Sequence, residues 1–167
     1  MRSRTREEFK YYSNLEDQFK QEFESIQPLI KFFVAELISW PEIEKANHVY
    51  GGTAFKLFNK NLGHIHSNGF IDYPFKGAFR NWLLDQGYAQ LHHFSDNLQW
   101  VSFGLKNQKD LKHAFELLEI SYFTRGQKYF NLQPLAKNFI YDKLTSNSIY
   151  QKMKKCDCYV QFVTEQH

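Results

Sequence analysis

Five of the seven histidines lie between Leu62 and Thr124, in stretches whose patterns are typical of strands and turns. His64 and His66 are separated by a single residue, and alternate side chains of an extended strand point to the same side. The two imidazoles are therefore predicted to share one face of a strand. Histidine has an ordinary pKa of about 6.5, which suits it to accept a proton near neutral pH. The alternative is that both are half-buried sheet residues that hydrogen-bond to their neighbours.

A third histidine is available from the pair His92-His93 further along the chain. Adjacent residues of a strand point to opposite faces, so only one of these two imidazoles can join His64 and His66. His113 is predicted on the exposed flank of a helix, between Lys112 and Ala114, and is assigned no role.

Three further residues complete the candidate site. Trp100 and Ser102 share a face of a predicted strand, where an indole can stack on a flat molecule and a hydroxyl can hold its polar edge. Asp72 can fix the tautomer of a neighbouring imidazole. Capping of the turn before Pro74 is an equal alternative for Asp72.

A metal site is an alternative, because His-x-His followed by another histidine can bind zinc, iron or nickel. Cupin-type sites add a glutamate three or four residues after the second histidine, and Gly69 and Phe70 occupy those positions here. A helix predicted between the strand pairs also argues against a continuous cupin barrel. The signal for a metal site is therefore weak, and the sequence leaves open whether the histidines bind a metal.

The N-terminal third is predicted to be helical. Apolar residues recur at three- and four-residue steps between Asn14 and Trp40, the spacing of an amphipathic helix. Pro28 lies inside this pattern, and an interior proline removes a hydrogen bond and clashes with the preceding turn. Two consecutive helices are therefore predicted rather than one.

Short strands and two helices are predicted to follow. Val49 to Lys60 is predicted as a strand in which Gly51-Gly52 marks a bulge or a close backbone approach. A turn beginning at Asn61 leads into the strand with His64 and His66. After a turn at Ser67-Asn68-Gly69, the segment Phe70–Tyr73 is predicted to continue these strands as a meander. The later elements are a helix from Phe75 to Gln86 ended by Gly87, a hairpin of Tyr88–Phe94 and Leu98–Leu105 joined by Ser95-Asp96-Asn97, and a helix from Asn107 to Phe123.

This order, α-α-β-β-α-β-β-α, predicts an α+β fold with an antiparallel sheet and helices packed mainly on one face. The chain is divided into an N-terminal helical segment at 1–45, a core at 46–124 and a C-terminal appendage at 125–167. A helix is predicted around Pro134 to Leu144 in the appendage.

Composition narrows the possible partners. The 21 basic and 18 acidic residues are mixed along the chain and leave a net charge of +3, so no nucleic-acid surface is expected. No apolar run is long enough for a signal peptide or a membrane helix. Cys156 and Cys158 are expected to be reduced thiols. A cytoplasmic protein without membrane contacts is therefore predicted, and its oligomeric state is not indicated.

Several short motifs follow one another between about Trp40 and Thr124. They are Tyr50-Gly51-Gly52-x-x-Phe55, Gly63-His64-x-His66, Asp72-x-Pro74-Phe75, Gly87 followed by His92-His93, Gln99-Trp100-Val101-Ser102-Phe103, and Ser121-Tyr122 in the closing helix. With these motifs in this order, the chain resembles the luciferase-domain family, small bacterial proteins that share a domain with the fungal luciferases.

The fungal luciferases look similar at His64, His66, His92 and Trp100, and they oxidise a hydroxylated styryl-pyrone with molecular oxygen without a metal or an organic cofactor. The resemblance therefore implies His64, His66 and His92 as catalytic residues, and Trp100, Ser102 and Asp72 as residues that bind a small planar phenolic or enolic ligand. It also implies a cofactor-independent oxidoreductase. Light emission is not expected, because Asp72-x-Pro74-Phe75 belongs to the bacterial branch and the fungal N-terminal membrane segment is lacking.

The competing hypothesis is a non-catalytic binding or interaction module. The order of elements and the terminal Ser121-Tyr122 resemble YjbR-like small domains. Such a likeness concerns the fold and carries little information about function. In this case side chains would fill the space of the predicted pocket.

Overall fold

The computed structural model describes residues 22, 24–48, 52–92, 99–156 and 159. Six strands form one antiparallel sheet with the order β1-β2-β3-β4-β6-β5. The strands are β1 at Ile43–Asn47, β2 at Thr53–Leu57, β3 at Lys60–Ile65, β4 at Phe70–Tyr73, β5 at Gln90–Leu91 and β6 at Val101–Gly104. The helices are α1 at 24–38, α2 at Gly77–Asp85, α3 at Asp110–Gly126, α4 at Pro134–Ser146 and α5 at Ser148–Met153. The predicted α+β class is confirmed.

One face of the sheet, called the helix face, is apolar and packs against α3. Its strand residues are almost fully buried, namely Phe55, Ile65, Ile71, Tyr73 and Val101. Phe33 of α1 lies against this side as well, with its ring centroid 6.2 Å from that of Phe55 and 4.8 Å from that of Phe115 in α3. Helices therefore cover the helix face, as the sequence predicted.

Polar side chains attach α3 to the sheet at specific points. The Tyr73 hydroxyl donates to the carbonyl of Ala114 at 2.9 Å, and the Ser121 hydroxyl donates to the carbonyl of Leu62 at 2.7 Å. The Tyr122 hydroxyl donates to the carbonyl of Pro41 at 2.8 Å. The Ser121-Tyr122 motif therefore holds the closing helix in place against β3 and the segment before β1.

The predicted break at Pro28 is wrong over the residues that the structure describes. Residues 24–38 are continuously helical through the proline. Glu24, whose carbonyl would pair with the missing N–H, is exposed like Pro28, so water can hydrate that carbonyl. The earlier part of the predicted helical segment, from Asn14 to Gln21, lies outside the described residues.

The single strand predicted from Val49 to Lys60 is also wrong. β2 ends at Leu57, and Phe58 and Asn59 form a tight turn with φ angles of 49° and 63° before β3 begins at Lys60. Asn61 lies inside β3 rather than in a turn. Asparagine tolerates the left-handed conformation, and that allows the chain to reverse here. β1 was not predicted, because its mostly exposed residues show no clear apolar alternation.

The antiparallel pairing of the predicted hairpin is present, but its strands are shorter. Gln90 pairs with Ser102 and Leu91 with Val101. The predicted turn at Ser95-Asp96-Asn97 lies outside the described residues. Gly87 has the positive φ of 69° expected after the end of α2.

The C-terminal helices pack against α3 through a buried polar cluster. The Asn147 amide donates to the Glu116 carbonyl oxygen at 2.8 Å and to Glu119 Oε2 at 2.7 Å. Cys156 is disulfide-bonded, so the expectation of a reduced thiol is wrong for this residue, whereas Cys158 lies outside the described residues. Among the helices described, none is both long and apolar enough to cross a membrane.

Candidate functional site

The face of the sheet opposite α3 carries a row of paired residues that crosses all six strands. Ala46 pairs with Ala54, Ala54 with His64, His64 with Asp72, Asp72 with Ser102, and Ser102 with Gln90. Residues paired directly across neighbouring strands point to the same side of a sheet. We call this side the histidine face, defined by His64, Asp72 and Ser102 together with the adjoining His66 and His92.

Asp72 is the centre of a cluster of imidazoles. Its Oδ2 lies 2.8 Å from His66 Nε2, 3.0 Å from His64 Nε2 and 3.3 Å from His92 Nε2. Its Oδ1 accepts a hydrogen bond from the Ser102 hydroxyl. Asp72 is fully buried, and His64 and His92 are nearly so. The carboxylate therefore contacts the cluster through both oxygens, as expected if Asp72 orients an imidazole.

The strand ends explain why residues distant in sequence meet at this carboxylate. His66 follows β3 directly, and its backbone N–H bonds to the Phe70 carbonyl at 2.8 Å, so the strand geometry continues for one step beyond His64. His92 follows β5 two residues after Gln90, which pairs with Ser102. Two-residue steps keep each imidazole on the same face as its neighbour in the row.

The histidines and Ser102 keep Asp72 ionised. Burial by itself would raise the pKa of Asp72, whose ordinary value is 3.8. Hydrogen bonds from His64, Ser102 and His66, together with the electrostatic effect of His92, lower this pKa to well below its ordinary value. The site therefore holds a buried negative charge whose surroundings are donors rather than water.

His48 belongs to the site and was missed in the sequence. Its ring stacks on that of His64, with 3.7 Å between centroids and 12° between planes, and lies 5.4 Å from that of His66. Because β1 was not predicted, nothing placed His48 beside the other histidines. Gly52 links His48 to this region. The His48 N–H donates to the Gly52 carbonyl at 3.3 Å, and a Cβ on Gly52 would lie 2.2 Å from the Ile65 carbonyl oxygen, in agreement with the close backbone approach predicted at this glycine.

Trp100 lies beside the imidazoles, as predicted. Its ring centroid is 5.1 Å from that of His64 and 6.3 Å from that of His92. Its backbone carbonyl accepts a hydrogen bond from Arg80 Nε at 3.3 Å, so α2 helps to hold this segment in position. Trp100 is half-buried, which places an aromatic surface at the border of the cluster.

A cavity of about 380 Å³ adjoins the cluster. His66 and Ser102 line it from the cluster side, and its other lining residues are Asn68, Phe70, Gln90 and Leu91. This volume is within the usual range of small-molecule sites, about 300 to 1,000 Å³. A larger cavity of about 650 Å³ also borders Asn68 and Phe70, but no histidine lines it.

The remaining histidine on a helix has a different environment. His113 is half-buried rather than exposed, and its Nε2 lies 2.6 Å from the Tyr88 carbonyl oxygen. Its ring stacks on Phe103, which belongs to the helix face. His113 therefore lies apart from the Asp72 cluster, whereas His93 is outside the described residues.

Comparison with known proteins gives the cluster a family context. Residues 59–121 match the family model of the luciferase domain. The resemblance seen in the sequence is thereby confirmed. The matched segment contains His64, His66, Asp72, His92 and Ser102 but not His48. Neither a curated protein nor a solved structure matches the chain significantly.

Proposed function

We propose that this luciferase-domain protein binds a small planar phenolic or enolic molecule in the cavity beside the histidine face. The observation that carries the proposal is the convergence of His64, His66 and His92 on buried Asp72, at the edge of a cavity that His66 and Ser102 line. Concave sites with few polar groups and perturbed titratable residues are typical of ligand-binding sites.

The cavity lining suits a flat ligand with polar edges. Phe70 and Leu91 supply apolar surface, and Asn68, Gln90 and Ser102 supply hydrogen-bonding groups. The indole of Trp100 lies close to His64 and His92 but is not among the residues that line this cavity. The lining itself combines apolar surface with a few polar groups that would set the ligand's orientation.

His66 is the proposed proton acceptor because it belongs to both the cluster and the cavity wall. When its Nε2–H donates to Asp72, the basic nitrogen of the ring is Nδ1. Removal of a proton from a phenol or enol would produce an electron-rich anion able to pass an electron to oxygen. A cofactor-independent oxygenase-like reaction is therefore the proposed activity, in line with what the family resemblance implies.

A thermal-shift screen with planar phenols and pyrones tests this proposal. A molecule that binds the folded protein raises its apparent stability by mass action. We expect at least one pyrone or phenol to stabilise the wild type, and the shift to be lost or strongly reduced in His66→Ala. His113→Gln is the matched control because it changes a histidine outside the cluster and should keep the shift.

Oxygen consumption with the stabilising compound then separates catalysis from binding. Consumption that depends on His66 supports the oxygenase-like reaction. If no planar compound shifts the wild type, or if His66→Ala keeps the full shift, the proposal fails and the non-catalytic interaction module is favoured. The cytoplasmic location, the divisions at 45 and 124, and the catalytic assignments of His64 and His92 stay predictions.

A further inference from the structure

We propose that His64, Asp72 and His92 bind one divalent first-row transition-metal ion on the buried side of the histidine face. These three residues form a group in which one ligand atom of each lies within 4.8 Å of the others, and all three are buried. This inference is separate from the proposed binding of a planar ligand and does not depend on it. It also departs from the metal-free chemistry that the family resemblance implied.

The distances fit ligands that share one ion. His64 Nε2 and His92 Nε2 lie 3.0 and 3.3 Å from Asp72 Oδ2. Atoms bound at about 2.1 Å to a common ion are roughly 3.0 Å apart at right angles and about 3.4 Å apart in a tetrahedron. These two nitrogen-to-oxygen distances therefore agree with those of neighbouring ligands around a metal, although they are also hydrogen-bond distances.

Three imidazole nitrogens lie around one oxygen of Asp72. His64, His66 and His92 all approach Oδ2, and the Ser102 hydroxyl donates to Oδ1. With an ion bound, His64 and His92 would no longer donate an N–H to Oδ2 but would present the lone pair of Nε2 to the ion, because metal-bound imidazoles are deprotonated at the ligating nitrogen. The same atoms can therefore serve as hydrogen-bonding groups or as metal ligands.

The donor set also indicates the kind of ion. Imidazole suits zinc, copper, iron and nickel, and carboxylate widens the choice to manganese. Two histidines and one carboxylate leave coordination positions open, as in non-haem iron oxygenases. Zn²⁺, Fe²⁺ and Co²⁺ are therefore suitable probes, whereas Ca²⁺, which prefers an all-oxygen shell, is not.

His66 and Ser102 would orient the Asp72 carboxylate for metal binding. The His66 Nε2–H donates to the carboxylate oxygen that would bind the ion, and Ser102 donates to the other oxygen. Hydrogen bonds of this kind orient metal ligands, and their removal typically weakens metal binding by roughly 10- to 100-fold. His48, stacked on His64, restricts the rotation of that ligand ring.

The test uses the full chain, stripped with a chelator and titrated with Co²⁺ and Zn²⁺. Visible absorption of bound Co²⁺, calorimetric stoichiometry and metal analysis of the purified protein are the measurements. We expect one equivalent to bind to the wild type, and binding to fall by at least roughly 100-fold in His64→Gln, His92→Gln and Asp72→Asn, since removing a ligand should exceed the effect of removing its support. Glu119→Gln and His113→Gln, which remove a buried carboxylate and a histidine elsewhere, should bind like the wild type.

Two outcomes overturn the inference. One is a wild type that binds neither Co²⁺ nor Zn²⁺ and shows no rise in thermal stability with either ion, a readout that needs no variant to fold. The other is binding that survives His92→Gln and Asp72→Asn but is lost in His48→Gln and His66→Gln, because the ion would then occupy the second group of His48, His64 and His66.

Screening planar ligands on the metal-free wild type keeps the two proposals separate, since a ligand shift there supports the pocket even if no metal binds.

Discussion

The two faces of the sheet both have a buried centre, but the buried side chains differ in kind. On the helix face, Phe55, Ile71 and Tyr73 are fully buried against α1 and α3, where removal of apolar surface from water stabilises the fold. On the histidine face, Asp72 is equally buried but carries a charge that only donors can offset. A buried ion pair adds little net stability compared with apolar packing. The comparison therefore assigns folding to the helix face and chemistry to the histidine face.

The largest expected effect comes from breaking the helix face. Phe55→Ala removes a fully buried ring that contacts Phe33 of α1, and large-to-small changes of this kind cost about 3–5 kcal/mol of unfolding free energy. Urea unfolding measures the loss. Phe32→Ala is the matched control because Phe32 is 54 % exposed, and it should cost far less. Equal losses in the two variants would contradict the assignment of folding to the helix face.

Glu119 is a second buried carboxylate, and its pKa changes in the opposite direction from that of Asp72. Burial raises the pKa of Glu119 to about 7, although Asn147 and Lys143 oppose the rise. Because this pKa is above its ordinary 4.5, the folded protein holds the proton more tightly, and stability falls as the pH rises from about 4.5 to about 7.

Glu119→Gln, which mimics the protonated form, should remove this fall. At pH 8 the variant should be more stable than the wild type by up to about 3 kcal/mol, at about 1.4 kcal/mol for each unit of pKa difference. Unfolding curves between pH 4 and 8 check the prediction. Parallel curves for the two proteins would show that Glu119 does not titrate in this range.

Asp72→Asn tests the charge of the histidine face directly. The asparagine amide has one acceptor oxygen where the carboxylate has two. The substitution therefore leaves the donor of Ser102 or of an imidazole without its acceptor, which costs about 1–3 kcal/mol of unfolding free energy near neutral pH. The lowered pKa of Asp72 means that its carboxylate stabilises the fold above its ordinary value of 3.8 and loses this effect as the pH falls through its lower folded value. The difference between variant and wild type should therefore shrink in acid, which unfolding at pH 7 and pH 3 would show.

The smallest effect is expected from a histidine that belongs to the helix face. His113→Gln keeps a donor that can reach the Tyr88 carbonyl but loses the stack on Phe103. A stability cost of about 1 kcal/mol is expected, with ligand and metal binding unchanged. Loss of binding in this variant, measured by calorimetry, would show that the two faces are not independent.

Local patterns predicted part of the site and most of the helices. The His64-x-His66 alternation correctly placed two imidazoles on one side of the sheet, and Gly87 and the spacing of Phe79 and Leu83 marked α2. Local patterns do not predict the turn at Phe58 and Asn59, because these residue types carry a weaker turn signal than glycine. Pro28 shows the limit of propensity, since packing of α1 outweighs one lost hydrogen bond.

The amino-acid sequence by itself determined the class of fold, the luciferase-domain resemblance and the residues able to do chemistry. Only the tertiary structure decided that Asp72 lies at the centre of those residues and that His48 joins them. Spacing along the chain sets which side chains share a face within a strand. The pairing of His64 with Asp72 and of Asp72 with Ser102 depends instead on the register between strands. Register is set by turns, bulges and core packing, which no single segment contains.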